Sequence, residues 1–249
     1  MLPTIDRLVF LIGVAVGGLG LSVFLEPIWS WPIRLIVILM AYLTCDAIFR
    51  RHPNLVLRSP GQRWMLGLLP ATIIFEAFVL LPRITEQGKI AGLTFLAAIL
   101  ALVIVAQYQS MHAEGQSTAR FLLNLMTYGV AFGLYYSLYS FEGDVQSALA
   151  AGLTTAALSV EILRGNSGSK TATYSLASGV VLAEAKLIMN FWPVDAIMGS
   201  IVLLLIFYVL SGTIQSYVHS QFTRSTLVEF STVGVVAFVI VYGMRLWIG

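Results

Sequence analysis

The sequence predicts an all-α integral membrane protein with about nine transmembrane helices, one N-terminal helix followed by a parallel 4+4 internal repeat. Three observations lead there. Hydrophobic residues make up 58% of the chain and charged residues only 10%, whereas a water-facing surface needs roughly 25% charged residues. Apolar stretches of about 20 residues, the length that crosses a bilayer, follow one another with short connections. Polar landmarks then recur in the same order in the two halves of the chain.

The first apolar stretch, 8–25, is too long for a signal-peptide core and lacks a small-residue cleavage site, so it reads as a retained helix. Its Gly13 and Gly17 form a GxxxG pattern, with Gly18 and Gly20 following, and are expected to support close helix packing. Further spans are expected at 33–49, 65–82, 90–108, 121–141, 146–163, 172–191, 196–214 and 228–247. The longest connection is the basic segment 50–64, and no stretch has the composition of a separate soluble domain. The whole chain reads as one transmembrane domain: an added N-terminal helix at 8–32, a first repeat at 33–141 and a second at 146–249.

Orientation follows from the excess of Lys and Arg in cytoplasmic loops. With the N-terminus inside, the cytoplasmic side holds Arg7, Arg50, Arg51, Arg58, Arg63, Arg120, Arg164, Lys170 and Arg224. The outside keeps Arg34, Arg83, Lys89 and Arg245. That asymmetry places the N-terminus in the cytoplasm and the C-terminus outside, in a bacterial plasma membrane. Trp29, Trp31, Trp64, Trp192 and Trp247 fall at span ends, where an aromatic belt lies.

The repeat relates spans 2–5 to spans 6–9. LTCDAIFRR in span 2 answers ALSVEILRG in span 6, pairing Asp46 with Glu161 and Arg50 with Arg164. IIFEAFVLLP answers VLAEAKLIMNFWP, pairing Glu76 with Glu184 and Pro82 with Pro193. Loops QYQSMH and IQSYVH bring His112 opposite His219. In spans 5 and 9, Asn124, Thr127 and Gly129 meet Glu229, Thr232 and Gly234. Four helices per unit keep both copies in one orientation, so the repeat axis is expected along the membrane normal.

Intramembrane charges cost about 2.5–3.5 kcal/mol at a helix centre on insertion scales, so each needs a reason. Glu76 and Glu184 are expected roughly 18 Å beyond the cytoplasmic ends of their helices, past the middle of the bilayer. Asp46, Glu161, Asn124 and Glu229 are expected about one turn inside the cytoplasmic boundary, lining a polar vestibule. The bland reading for Asp46, Glu161 and Glu229 is hydration at the interface or pairing with nearby arginines. For Glu76 and Glu184 it is a buried pair or a protonated acid that fixes packing.

Lys186 stands two residues after Glu184, about 200° round the helix, and shares a face with Asn190 instead. Its partner is expected on another helix, with Glu76 a candidate. Tyr128, Phe132, Tyr135, Tyr136 and Tyr139 are read as one broad aromatic face, serving packing before ligand binding. A lysine in the seventh span also looks superficially like a retinal-binding lysine, but two further spans follow.

Much is excluded. Cys45 is the single cysteine, and neither His112 nor His219 has a second ligand at metal-binding spacing, so no metal or cofactor is expected. Walker, HExxH, GxSxG and dinucleotide motifs are lacking, and GNSGSK at 165–170 is a flexible turn. A net charge of +2 gives no footprint for nucleic acid. Expected partners are membrane lipid, a second copy, or other membrane subunits. The leading functional expectation is a small transporter or channel for protons or a small cation, built on Glu76, Glu184 and Lys186. The alternatives are a non-catalytic subunit of a membrane complex and an enzyme acting on a lipid substrate.

Overall fold

The computed structural model describes residues 5–24, 27–50, 64–80, 85–111, 116–139, 144–163, 168–192, 194–218 and 223–248. Among these residues the chain is all-helical, with no strand. The helices are α1 (Ile5–Phe24), α2 (Pro27–Phe49), α3 (Leu68–Leu80), α4 (Glu86–Gln109), α5 (Gln116–Tyr139), α6 (Asp144–Ile162), α7 (Gly168–Met189), α8 (Ala196–Val218) and α9 (Arg224–Ile248). A 3₁₀ turn, Trp64–Gly67, leads into α3. Helix is the expected answer to apolar sequence in lipid, because every backbone N–H and C=O must then be satisfied within its own segment.

Six of these helices, α2 and α4 to α8, are long and apolar enough to cross a membrane. At 24 residues, α4 is about 36 Å long against a hydrocarbon core of about 30 Å. The 13 residues of α3 cover only about 20 Å, and the preceding 3₁₀ turn adds about 8 Å.

Contacts divide the chain into two compact units, Met1–Thr127 and Tyr128–Gly249, with the division inside α5. In the first unit α1 lies along α2 and also touches α3 and α4, while α3 packs on both α2 and α4. The buried faces have helical spacing: Leu11, Ala15 and Leu19 on α1, and Val37, Ala41, Cys45 and Ile48 on α2. The glycine pattern of α1 works differently from the sequence expectation. Gly13 and Gly17 face open space, and Gly18 takes the close contact, against the Val37 side chain of α2. The reason is angular, since one residue along a helix is about 100° round it, which puts Gly18 on another face from Gly17.

In the second unit α6 and α7 pack most closely, α8 lies against α7, α6 and α9. Gly152 and Gly179 make the α6–α7 approach possible. A Cβ on Gly152 would stand 2.8 Å from the Gly179 carbonyl oxygen, and one on Gly179 would stand 2.5 Å from the Gly152 oxygen. Such a small-residue seam is how membrane helices gain van der Waals contact without a hydrophobic drive between them.

The C-terminal half of α5 joins this unit through its tyrosines. The buried Tyr135 hydroxyl shares a 2.7 Å hydrogen bond with Thr155 of α6, and its ring meets Phe207 of α8 edge-on at 6.5 Å. Tyr128 reaches Ser211 at 3.0 Å and Phe207 at 5.6 Å. The aromatics do not form one face, however: Tyr135 is fully buried while its neighbour Tyr136 is exposed.

Candidate functional site

The eight candidate residues fall into four pairs by their surroundings. Near the Phe49 end of α2, Asp46 accepts from Arg50 at 2.6 Å, an i,i+4 ion pair with a largely exposed arginine. Glu161, one residue before the end of α6, is buried and engaged by a neighbouring group. Both are therefore occupied near the ends of their helices.

Asn124 and Glu229 differ. Glu229 is exposed, five residues into α9, and Asn124 is half-buried. Because α5 begins at Gln116, ahead of the apolar stretch, Asn124 stands about 12 Å along its helix.

Glu76 and Glu184 lie at similar distances from the C-terminal ends of their helices but at different distances from the starts. Glu76 is four residues before the end of α3 and Glu184 five before the end of α7, about 6 Å and 7.5 Å along the axis. Helix α7 starts at Gly168, so Glu184 lies about 24 Å from that start, further along than the 18 Å expected. Glu76 is half-buried and Glu184 exposed. Neither carboxylate makes a hydrogen bond or ion pair to a described residue of its own unit.

Lys186 is the opposite case. It lies in the last turn of α7, only 2% exposed, on the face away from Glu184. Its ammonium sits 4.3 Å from the centre of the Tyr139 ring and donates to Oδ1 of Asn190. The Tyr139 hydroxyl in turn donates to the Met189 carbonyl at 3.0 Å, and Gly199 at the start of α8 leaves room for the ring. Nδ2 of Asn190 is buried with no acceptor among the described residues. A lysine in a final helical turn also faces the negative end of the helix dipole, which favours its charge.

Arg34 is helical, two residues into the apolar stretch of α2 that starts at Pro32. Arg34 was counted with the outer loops, yet α2 begins at Pro27, and Arg34 lies about 10 Å along it. Its guanidinium stands 5.6 Å from the centre of the Phe78 ring on α3. The available signal was that Arg34 already fell inside the 33–49 span.

Among the described residues no cluster of His, Cys, Asp or Glu could hold a metal ion. His52, His112, His219, Arg164 and Pro193 lie outside the described residues. Taken unit by unit, Glu76 and Glu184 are acids without a hydrogen bond or ion pair among the described residues of their own unit, and Arg34 and Lys186 are cations held over aromatic rings.

No curated protein and no solved structure matches the chain. A family model, described as a protein of unknown function (DUF5656), matches residues 10–243. That match spans nearly all of the sequence, and the chain belongs to the DUF5656 family.

Proposed function

We propose that this protein is a small transporter or channel for protons or a small cation, with Glu76 and Glu184 as its central acidic groups. The proposal includes nine spans in a bacterial plasma membrane, N-terminus inside and C-terminus outside, and two four-helix repeats. One observation carries the functional reading: neither acid is spent on a pair within its own unit, and Glu184 is exposed. A purely structural carboxylate in lipid is held by pairing or by full burial in its neutral form. Glu184 shows neither.

Reconstitution in proteoliposomes tests this, with an interior pH dye reporting proton or cation-coupled flux. Wild-type protein is expected to conduct, and Glu184→Gln or Glu76→Gln to abolish the flux or its pH dependence at unchanged thermal midpoint. Absence of flux from wild type, together with Gln variants that melt earlier, would refute the transport reading.

The second reading is a subunit of a membrane complex. Supporting it, the exposed stripe of α7 carries Leu176, Val180, Leu187 and Ile188 around Glu184, with the exposed Phe191 just beyond the helix end, a surface suited to another helix. In that case Glu184 would meet a donor on the partner, and co-purification of a stoichiometric membrane protein lost in Glu184→Gln would favour it.

A further inference from the structure

Two serine hydroxyls of the second unit, Ser159 on α6 and Ser175 on α7, have no hydrogen-bond partner among the described residues. Both side chains are sealed off, at 1% and 2% exposure. A serine or threonine inside a helix ordinarily turns to the carbonyl four residues back. Their neighbours do so: Thr154 donates to the Ala150 carbonyl at 2.7 Å, and Ser178 to that of Tyr174 at 2.9 Å. Ser159 and Ser175 leave that acceptor unused.

The packing of the two helices places these serines. A Cβ on Gly179 would meet Ala156 at 3.0 Å and one on Gly152 would meet Ala183 at 2.9 Å, so the four residues alternate along an antiparallel seam. At about 100° per residue, Ser159 lies about 20° from the direction of Gly152, and Ser175 about 40° from that of Gly179. Both therefore face the partner helix. Thr171 sets the level, because its hydroxyl donates to the Leu163 carbonyl at 3.4 Å. Four residues on from Thr171 is Ser175, and four back from Leu163 is Ser159. The two hydroxyls stand opposite each other, next along the seam after the Ala156–Gly179 contact.

Hydroxyls buried in this way are costly unless something serves them, and each can both donate and accept. Whatever serves both has to be small, since the helices come into backbone contact nearby at Gly152 and Gly179. A metal cation would call for about six oxygen ligands. Glu161 does not add to them from this face, being two residues from Ser159 and about 200° round α6. Water meets the requirement, because it donates and accepts and is held in protein interiors by two to four polar partners.

We propose that α6 and α7 bind a single water molecule between Ser159 and Ser175. Thr155, one turn from Ser159 on the same face of α6, shares a 2.7 Å hydrogen bond with the Tyr135 hydroxyl. The water extends this buried run of hydroxyls from α5 through α6 to α7, about 180° round α7 from Glu184.

Water-edited solid-state NMR of the isotope-labelled full chain in phosphatidylcholine bilayers tests the site, with water itself as the probe. Wild-type protein is expected to show water signal at the Cβ atoms of Ser159 and Ser175 and none at the Cα atoms of Gly152 and Gly179. Ser175→Ala is expected to remove the signal at Ser159, and Ser159→Ala that at Ser175, because the water loses its second anchor. Wild-type protein that is dry at both serines overturns the proposal without any variant. So does signal at Ser159 that persists in Ser175→Ala, which would mean separate hydration. Signal shared by Gly152 and Gly179 overturns it as well, since the seam would then be open to water along its length.

Discussion

The ammonium of Lys186 lies 4.3 Å from the centre of the Tyr139 ring, on the face of α7 turned away from Glu184. The first unit holds a comparable contact with the roles exchanged. Phe78 is two residues after Glu76, as Lys186 is after Glu184, and there the aromatic ring receives the cation of Arg34 at 5.6 Å. In both units the helix that carries the glutamate thus uses its next position but one for a cation–aromatic contact. A ring face is a sound partner for a cation in lipid, because it stabilises the charge without adding another charge to desolvate.

Removing the ring tests how much that contact contributes. Tyr139→Leu is expected to destabilise the protein by about 1–2 kcal/mol, since the desolvated cation loses its π face. Tyr139→Phe keeps the ring and loses only the hydroxyl bond to Met189, an effect of about 0.5–1.5 kcal/mol. Thermal unfolding in detergent resolves the order. Equal losses in the two variants would assign the whole effect to the hydroxyl and none to the cation.

The Gly152–Gly179 approach gives a prediction of larger size. A Cβ on Gly179 meets a backbone carbonyl oxygen, which cannot swing aside as a side chain does, so α6 and α7 must separate. Gly179→Val is expected to cost about 1–3 kcal/mol by overpacking. Gly13→Ala, whose Cβ would meet nothing within 4 Å, is expected to stay within about 0.5 kcal/mol of wild type. A Gly179→Val protein as stable as wild type would mean the two helices are not held this closely.

The Asp46–Arg50 pair should contribute little despite its 2.6 Å distance. The arginine side chain is 67% exposed and the pair is local to one helix, conditions under which such bonds contribute about 0.3–0.5 kcal/mol. Asp46→Asn is therefore expected to leave the thermal midpoint nearly unchanged. A loss above about 2 kcal/mol would mean that Asp46 serves a tighter role than this pair.

These contacts show why parts of the molecule were legible in sequence and others were not. The all-helical character was legible, because apolar residues in lipid leave the backbone little other choice, and six of the helices met by the expected spans are long and apolar enough to cross a membrane. The opposite facing of Glu184 and Lys186 was legible too, since a spacing of two fixes the angle whatever the surroundings. Helix starts were less visible: α2 and α5 begin ahead of their apolar stretches, which puts Arg34 and Asn124 further along their helices. Contacts between helices were invisible. The GxxxG pattern of α1 drew attention to Gly13 and Gly17, while the closest backbone approach uses Gly152 and Gly179, which form no motif in one helix. Periodicity states which residues share a face, and the partner's surface decides which face is used.

Topology can be tested with introduced cysteines. Cys45 is the single native cysteine and is fully buried, so a membrane-impermeant maleimide should find no background on the folded protein. Val145 at the start of α6 and Lys170 at the start of α7 are exposed, as is Ser117 at the start of α5. The proposed orientation puts Ser117 and Lys170 on the cytoplasmic side and Val145 outside, because the loops beside Arg120 and Lys170 carry basic residues and the stretch 140–147 carries none. In intact cells Val145→Cys should label while Ser117→Cys and Lys170→Cys stay protected, and inverted vesicles should reverse the pattern. Labelling of Val145→Cys and Lys170→Cys from one side would mean that α6 does not cross, and the alternation behind nine spans would fail. Labelling with all three sides exchanged would keep the crossings and reverse the orientation alone, placing the Glu184 end of α7 toward the cytoplasm.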